Sequence, residues 1–312
     1  MKTFLMRTAA FALAALALFA TLLIFSDKEP LRTVLTELTD STEYATSASA
    51  EIMPHIANMQ KSDGATKVIL GDSVCWQIFD PFNLCNTDYR IDGTNRAVTL
   101  AGQYLLAQQF LQFHPEATDV YLVLIPESFS AGADEDYAYQ YLVAPFAQAG
   151  LLENLDATTQ SELRAAYGGV FLRPGLARWF ESSPLGKKLY LNSLPAPKTE
   201  KGALVPLAVR SLQALADLCA ARGVALHLLC APLPDTENSR AALANLEQAF
   251  RDEGLYDTYS SYFTQVCWYD SALFGGDGVH FDSARADQAF FTEVLTAMQQ
   301  QTGLLEGLVT SY

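Results

Sequence analysis

Basic residues are scarce in this chain. Its 312 residues include 20 Lys or Arg and 35 Asp or Glu, so the formal net charge at pH 7 is −15. Binding to nucleic acid needs a basic face that neutralises phosphates, and electrostatic docking on anionic lipid needs basic clusters. The composition therefore argues against a nucleic-acid partner and against electrostatic attachment to a lipid surface.

Motifs for common cofactors and metals are also missing. The sequence has no GxGxxG, no P-loop and no HExxH, and its cysteines form neither a CxxC pair nor a cluster with histidine. We therefore expect no cofactor and no metal. The odd number of cysteines leaves at least one thiol unpaired within the chain. Cys75 and Cys85 are close enough for a short-loop disulfide; the alternative is that all five cysteines are small buried apolar residues. These five are Cys75, Cys85, Cys219, Cys230 and Cys267.

An uncharged apolar run, residues 8–26, follows Lys2 and Arg7 near the N-terminus. At 1.5 Å per residue, a helix of this length spans about 28 Å, close to one bilayer core. The flanking charges predict a signal anchor with residues 1–7 in the cytoplasm and the remainder outside. A cleaved signal peptide is the main alternative, although the run ends in large residues, and a buried core helix is a third. Residues 27–64 are expected to form a stalk.

Residues 65–312 alternate between buried strands and helices, which predicts one α/β domain. Apolar runs typical of strands occur at residues 67–70, 89–91, 119–125 and 224–230, and helical patterns at 96–113, 203–222, 239–253 and 282–301. This alternation favours a doubly wound parallel sheet in a three-layer α/β/α sandwich. Residues 127–202 are too long for a plain connection, so we interpret them as an insertion, either a lid beside the site or a structural elaboration.

Two short motifs can carry chemistry. Ser73 follows Gly71 and Asp72 at the end of the first predicted strand, and Asp277 precedes His280 by three residues before the last predicted helix. A serine hydroxyl becomes nucleophilic when a neighbouring imidazole takes its proton, and a carboxylate fixes the tautomer of that imidazole. These residue types predict a nucleophile, a general base and its orienting group. Asp72 is expected to shape the loop through side-chain hydrogen bonds.

The two motifs resemble those of the SGNH (GDSL-like) hydrolase family. Gly71-Asp72-Ser73 is similar to the first family block and Asp277-x-x-His280 to the last, and the resemblance spans about residues 65–301. It implies a flavodoxin-like sandwich and an acyl-enzyme mechanism with Ser73 as nucleophile, His280 as general base and Asp277 as its orienter.

The middle blocks of the family are less well matched. Gly93 is the natural counterpart of the second-block glycine, whose N–H joins that of Ser73 in the oxyanion hole. The third block normally supplies an asparagine after the central strand, but residues 125–129 contain none. Asn95, or a group from the insertion, is expected to replace it; alternatively, Asn95 caps the following helix.

A membrane anchor, an altered third block and a long insertion are similar to the subset of the family that acylates exported polymers. The resemblance implies a membrane-anchored extracytoplasmic serine esterase or O-acyltransferase. Its substrate would be an acylated cell-envelope polysaccharide or a small ester, and a membrane acyltransferase would be its partner. The alternative is a catalytically silent relative that binds a polymer or that membrane partner.

Several other residues are weaker candidates. His55 falls in the predicted stalk, His114 at a helix end and His227 in a strand, where a satisfied core histidine is the expected role. An acidic cluster at residues 134–136 is expected to be a charged helix start. Four aromatic residues near the motifs could line a groove or pack in the core. They are Trp76, Phe79, Trp268 and Phe274.

Overall fold

The structure is a computed structural model that describes residues 1–25, 45–79, 88–94, 97, 99–133, 138, 142–143, 146, 149–167 and 202–308. The helices are α1 (Lys2–Phe25), α2 (Ala45–Met59), α3 (Ser73–Phe79), α4 (Leu100–Phe113), α5 (Ala157–Tyr167), α6 (Pro206–Arg222), α7 (Glu237–Asp252), α8 (Tyr256–Thr264) and α9 (Gln288–Thr302). The strands are β1 (Lys67–Gly71), β2 (Tyr89–Gly93), β3 (Asp119–Leu124), β4 (Ala225–Cys230), β5 (Leu233–Pro234) and β6 (Trp268–Tyr269). Short 3-10 turns lie at Pro126–Phe129, Leu152–Asn154 and Ser271–Leu273.

The main sheet has four parallel strands in the order β2-β1-β3-β4. The chain leaves β1 for β2 on one side and then crosses to β3 and β4 on the other. Such a reversal of winding opens a crevice at the carboxyl ends of the strands, where ligands of α/β proteins bind. In the register, Gly71 at the end of β1 lies between Gly93 of β2 and Val123 of β3. The four strands predicted from the apolar runs are confirmed.

The central strands are apolar along their length because they are buried on both faces. Residues 68–71 of β1 and 120–124 of β3 are all buried. Helix α4 packs against α2 and α6. It begins after Thr99, whose side chain accepts a hydrogen bond from Gly102 N at 3.2 Å, and α6 ends at Gly223 in the left-handed region.

The described part of the predicted stalk differs from a stalk. Residues 45–59 form α2, and its Ile52, Ile56 and Met59 are no more than 3% exposed within the main core. These three residues follow the i, i+4, i+7 spacing of one helix face. The Thr- and Ser-rich sequence around them obscured that pattern.

The C-terminal third contains features that the sequence did not indicate. Helix α8 and the two-stranded parallel sheet of β5 and β6 were not predicted. The last helix begins at Gln288, not at residue 282, and its N-cap is Asp287, whose side chain accepts from Phe290 N at 2.9 Å. Asp282 instead closes a separate turn by accepting from Ala284 N at 3.0 Å.

Other predictions fall partly outside the described residues. Within the insertion at 127–202, the structure describes the helix α5. Residues 168–201 and the acidic cluster at 134–136 lie outside the described residues. Among the residues that the structure describes, no helix combines the length and apolarity needed to cross a membrane. The signal anchor at residues 8–26 stays a prediction from the sequence.

Candidate active site

Ser73 is the first residue of α3, one residue beyond the end of β1. The helix is capped by Asp72, whose Oδ1 accepts hydrogen bonds from Val74 N at 2.9 Å and Cys75 N at 3.3 Å. An acidic N-cap satisfies first-turn N–H groups and suits the positive end of the helix dipole. The cap fixes the backbone on which Ser73 stands, and the Ser73 side chain is half-buried at the carboxyl edge of the sheet.

The other carboxylate oxygen of Asp72 holds the segment after β3. Its Oδ2 accepts from Ile125 N and from Ser128 Oγ, both at 2.7 Å. Burial raises the pKa of Asp72, although all four of its hydrogen bonds favour the ionised form. Asp72 therefore shapes the loop, as the sequence indicated, and joins the start of α3 to the end of β3.

Asp277 and His280 lie in one tight turn. Oδ1 of Asp277 accepts from Val279 N at 2.9 Å and from His280 N at 3.1 Å, and Oδ2 lies 2.6 Å from His280 Nδ1. Gly278 has a φ of +67°, a left-handed conformation that favours glycine. Burial would raise the pKa of Asp277, but the hydrogen bonds from Val279 and His280 outweigh it and lower that pKa to about 2.

The two motifs meet across 207 positions of sequence. His280 Nε2 lies 2.7 Å from Ser73 Oγ. With the Nδ1 proton directed at the Asp277 carboxylate, Nε2 is the acceptor for the serine hydroxyl proton; this tautomer follows from the hydrogen-bond network. The side chains of His280 and Asp277 are 40% and 52% exposed, so solvent or a substrate can reach the imidazole. The arrangement can activate an alcohol as a nucleophile.

Gln77 is a positioning residue that the sequence reasoning missed. It lies four residues after Ser73 in α3, so the two side chains share a helix face. Its amide donates to Phe281 O at 3.1 Å and accepts from Phe281 N at 3.0 Å. This two-point bond joins the serine helix to the residue after His280. An amide one helical turn from a motif serine was the signal available in the sequence.

Phe281 anchors the histidine turn in the core. It pairs with Phe274 in an antiparallel bridge, and their rings stack with centroids 4.5 Å apart. Gly275 N donates to His280 O at 2.7 Å, which closes the loop between the two phenylalanines. Phe281 also makes edge-on contacts with Phe290 of α9. The tip of the loop is therefore exposed while its base is fixed.

Gly93 lies against the serine helix at the end of edge strand β2. A Cβ there would lie 2.4 Å from Trp76 N and 2.7 Å from the carbonyl carbon of Cys75, so only glycine allows this approach. The next residue, Thr94, donates its N–H to Gly71 O at 3.0 Å. Because successive N–H groups of a strand point to opposite sides, the N–H of Gly93 points away from β1. The Gly93 N–H therefore makes no hydrogen bond to β1, the strand that neighbours β2 in the main sheet.

The other two predicted oxyanion donors are the N–H of Ser73 and Asn95. In the first turn of α3, Val74 N and Cys75 N donate to Asp72 Oδ1, and Trp76 N donates to Asp72 O. No described residue accepts a hydrogen bond from Ser73 N. Asn95 lies outside the described residues. In the segment after β3, the donors Ile125 N and Ser128 Oγ are both directed at Asp72.

The other histidines are held by neighbouring groups. His227 Nε2 lies 2.8 Å from Asp119 Oδ1 and its ring stacks on Tyr121, as expected for a satisfied residue. His114 is buried, with Nδ1 2.9 Å from Phe110 O. His55 lies in α2 and contacts the end of β2.

The aromatic residues near the motifs divide between core and surface. Phe79 and Phe274 are buried in the core, whereas Trp76, three residues after Ser73, is 48% exposed. Trp268 is half-buried beneath the guanidinium of Arg240. Only Trp76 of these four is placed to meet a bound molecule over the exposed end of the serine helix.

The cysteines of the described residues are buried. Cys219, Cys230 and Cys267 are free thiols, and burial raises the pKa of each. Cys75 is buried in α3, and Cys85 lies outside the described residues, so a bridge between them stays a prediction. Within the ranges described, no group of three His, Cys, Asp or Glu side chains is arranged to hold a metal ion.

A cleft open to solvent borders the histidine turn. It lies between the segment after β3, the start of α7 and the turn that carries His280. Its cavity volume is about 10 Å³, the space of about one water molecule, and neither Ser73 nor His280 lines it. Its lining includes Pro126, Glu127, Pro234, Gly278 and Val279.

Compared with models of known protein families, with curated proteins and with solved structures, the chain has no match.

Proposed function

We propose that the protein is a serine esterase or O-acyltransferase of the SGNH type that works through an acyl-enzyme. The observation that carries the proposal is the continuous relay from Ser73 Oγ to His280 Nε2 at 2.7 Å and from His280 Nδ1 to Asp277 Oδ2 at 2.6 Å. Both distances are short enough for direct hydrogen bonds. The strand order supports a flavodoxin-like sandwich as the scaffold.

In the proposed first step, Ser73 Oγ attacks the carbonyl carbon of an ester. Its proton passes to His280 Nε2, and the imidazolium is stabilised by the Asp277 carboxylate. The tetrahedral intermediate expels the alcohol, which takes the proton from His280, and an ester of Ser73 remains. Water or a sugar hydroxyl then attacks this ester and gives its proton to His280; His280 returns the proton to Ser73 Oγ as the serine leaves, which frees the acid or the acylated sugar.

The negative charge of the tetrahedral intermediate needs donors. The Ser73 N–H has no acceptor among the described residues, and the Gly93 N–H points away from β1. We propose that these two N–H groups form the oxyanion hole, with Asn95 as third donor. One such donor typically contributes 10²–10³-fold in kcat.

We further propose that this chemistry takes place outside the cell membrane. Residues 8–26 would anchor the chain, and the acidic domain would act on ester-linked acyl groups of an envelope polysaccharide supplied by a membrane acyltransferase. The support here is the charge pattern of the N-terminus and the family resemblance. Fractionation of cells, with protease treatment of intact spheroplasts, should find the domain on the membrane and accessible from outside.

Turnover of an activated ester tests the chemical step. The full-length protein should hydrolyse 4-nitrophenyl acetate, and Ser73→Ala should remove that activity. Ser261→Ala, an exposed serine of α8, is the matched control and should retain it. Adding an oligosaccharide acceptor separates hydrolysis from transfer, because transfer yields an acetylated sugar.

The silent-binder alternative rests on the third-block asparagine that residues 125–129 lack. Wild-type protein that is folded yet hydrolyses no faster than Ser73→Ala would overturn the esterase proposal and favour that alternative. Retention on immobilised polysaccharide would then be the activity to measure.

A further inference from the structure

His55 of α2 makes two hydrogen bonds to the segment that carries Gly93. Its Nδ1 lies 2.6 Å from Asp92 Oδ1, and its Nε2 lies 3.1 Å from Thr94 Oγ1. Asp92 and Thr94 are the two neighbours of Gly93 in sequence. One imidazole therefore bridges the residues before and after the proposed oxyanion donor.

The directions of these bonds follow from the chemistry of the groups. An ionised Asp92 carboxylate only accepts, so Nδ1 of His55 carries the proton. In that tautomer Nε2 accepts from the hydroxyl of Thr94. Each bond then has one donor and one acceptor, and this assignment follows from the hydrogen-bond network. The side chains of Asp92 and Thr94 are buried, which limits competition from water.

Helix α2, which carries His55, is anchored in the hydrophobic core. Ile52 and Ile56, which flank His55 in α2, are at most 3% exposed. Asn58, one turn after His55, donates to Ile91 O at 3.3 Å. Helix α2 thus holds the end of β2 at several points, and a shift of this strand end would need movement of a core helix.

Gly93 is confined on the opposite side by the serine helix. Its Cα packs on the backbone of Cys75 and Trp76, and its neighbour Thr94 donates its N–H to Gly71 O at 3.0 Å. The segment is therefore held by α2, α3 and β1. His55 supplies the side-chain hydrogen bonds to the residues on either side of Gly93.

We propose that His55 is a positioning residue for the reaction: it holds the Gly93 N–H in the direction that receives the oxyanion. The inference rests on the proposed function. An oxyanion donor acts only when it is aimed in advance at the developing charge. His55 would then affect kcat more than KM, because the ground-state ester carries no oxyanion.

The experiment compares His55→Leu with His227→Leu. His227 makes a hydrogen bond of similar length, 2.8 Å, to Asp119, and its exposure of 23% is close to the 25% of His55. Asp119 lies on β3 and His227 on β4, two and three strands away from Gly93, so the pair controls for loss of a partly buried His–Asp pair.

With 4-nitrophenyl acetate, His55→Leu should lower kcat by about 10- to 100-fold, less than loss of a whole oxyanion donor, and change KM by less than about threefold. The affinity for a trifluoromethyl ketone, whose hemiketal oxyanion occupies the same hole, should fall with kcat. His227→Leu should leave kcat and inhibitor affinity within about twofold of wild type. Thr94→Val, which keeps the shape but removes the hydroxyl, should lower kcat in the same direction, and Thr94→Ser should restore it.

The outcomes separate the two proposals. Wild-type turnover together with equal kcat values for His55→Leu and His227→Leu would overturn the positioning role alone. If His55→Leu does not fold, unchanged kcat in Thr94→Val would overturn it instead. A folded wild-type protein with no turnover would overturn the proposed function, and this inference with it.

Discussion

Among the described residues, a hydroxyl, an imidazole and a carboxylate are linked in series by hydrogen bonds at two places. In the first relay, Ser73, His280 and Asp277 are joined by distances of 2.7 and 2.6 Å; in the second, distances of 3.1 and 2.6 Å join Thr94, His55 and Asp92. In both, Nδ1 faces the carboxylate and Nε2 faces the hydroxyl. Hydrogen-bond geometry alone does not distinguish them.

Exposure distinguishes them. The imidazole and carboxylate of the first relay are 40% and 52% exposed, whereas those of the second, His55 and Asp92, are 25% and 7% exposed. Ser73 is half-buried at the start of a helix, but Thr94 is only 3% exposed. We propose that the first relay acts in the reaction and that the second holds the backbone around Gly93.

The relays also differ in how the chain builds them. Asp277 and His280 belong to one turn, so their bond requires little ordering of the chain. His55 is 37 positions from Asp92, and their bond forms when α2 packs on β2. Breaking the second relay should therefore disturb packing as well as chemistry.

The largest difference is expected on removing each hydroxyl. Ser73→Ala should reduce kcat/KM for 4-nitrophenyl acetate by at least about 10⁴-fold, because the nucleophile is lost. Thr94→Val should retain measurable turnover, since its hydroxyl only positions. Steady-state kinetics on both folded variants measure the contrast, and a smaller loss in Ser73→Ala than in Thr94→Val would reverse the roles assigned here.

The second-largest difference in kcat is expected when the carboxylate of each relay is replaced by an amide. Asp277→Asn should lower kcat on the order of 10³–10⁴-fold, because an amide no longer selects the tautomer with an unprotonated Nε2. Asp92→Asn should cost no more than about 100-fold, since it weakens only the support of Gly93. Comparable losses in the two variants would argue that both imidazoles act in proton transfer.

A third contrast tests how the first relay is held. Gln77→Leu removes both hydrogen bonds to Phe281 and should lower kcat by about 10- to 100-fold through misplacement of His280. The matched control is Gln248→Leu, because the Gln248 amide donates to Asp252 Oδ1 at 2.8 Å on the surface of α7. Equal kcat values in the two variants would show that the histidine turn needs no tie to α3.

The smallest effect concerns pH. The pKa of Asp277 is lowered to about 2 in the folded protein, below the ordinary aspartate value near 3.9. A lowered pKa adds stability that is fully present above the ordinary value and is lost as the pH falls through the folded one. The difference in unfolding free energy between wild type and Asp277→Asn should therefore shrink as the pH falls from about 4 towards 2. Urea titrations at several pH values measure it; a difference that stays constant over this range would contradict the lowered pKa.

The strands and the Asp277–His280 part of the first relay could be predicted from the sequence because their signals are local, whereas the pairing with Ser73, 207 positions away, was implied by the family resemblance. Apolar runs such as residues 67–70 are long enough to identify a buried strand, and Asp277-x-x-His280 contains its own turn. The alternation of strands and helices also predicts that the sheet is parallel, whereas the order of its strands does not follow from it. These features need no knowledge of distant contacts.

The second relay and the Gln77 tie could not be predicted in the same way. His55 lies in a sequence rich in Thr and Ser, and nothing within several residues signals that it meets Asp92. Gln77 is an ordinary helix residue until Phe281 arrives from 204 positions away. The start of α9 was misplaced because Asp282, a good N-cap by type, closes its own turn.

Covalent labelling tests the central claim most directly. A fluorophosphonate probe reacts with serine hydroxyls that a neighbouring base activates, and peptide mass spectrometry locates the adduct. We predict one adduct, on Ser73, in the wild-type protein and in His227→Leu, and none in Ser73→Ala or His280→Ala. Folded wild-type protein that stays unlabelled, or that carries the adduct on another residue, would contradict the assignment of Ser73 as the activated nucleophile.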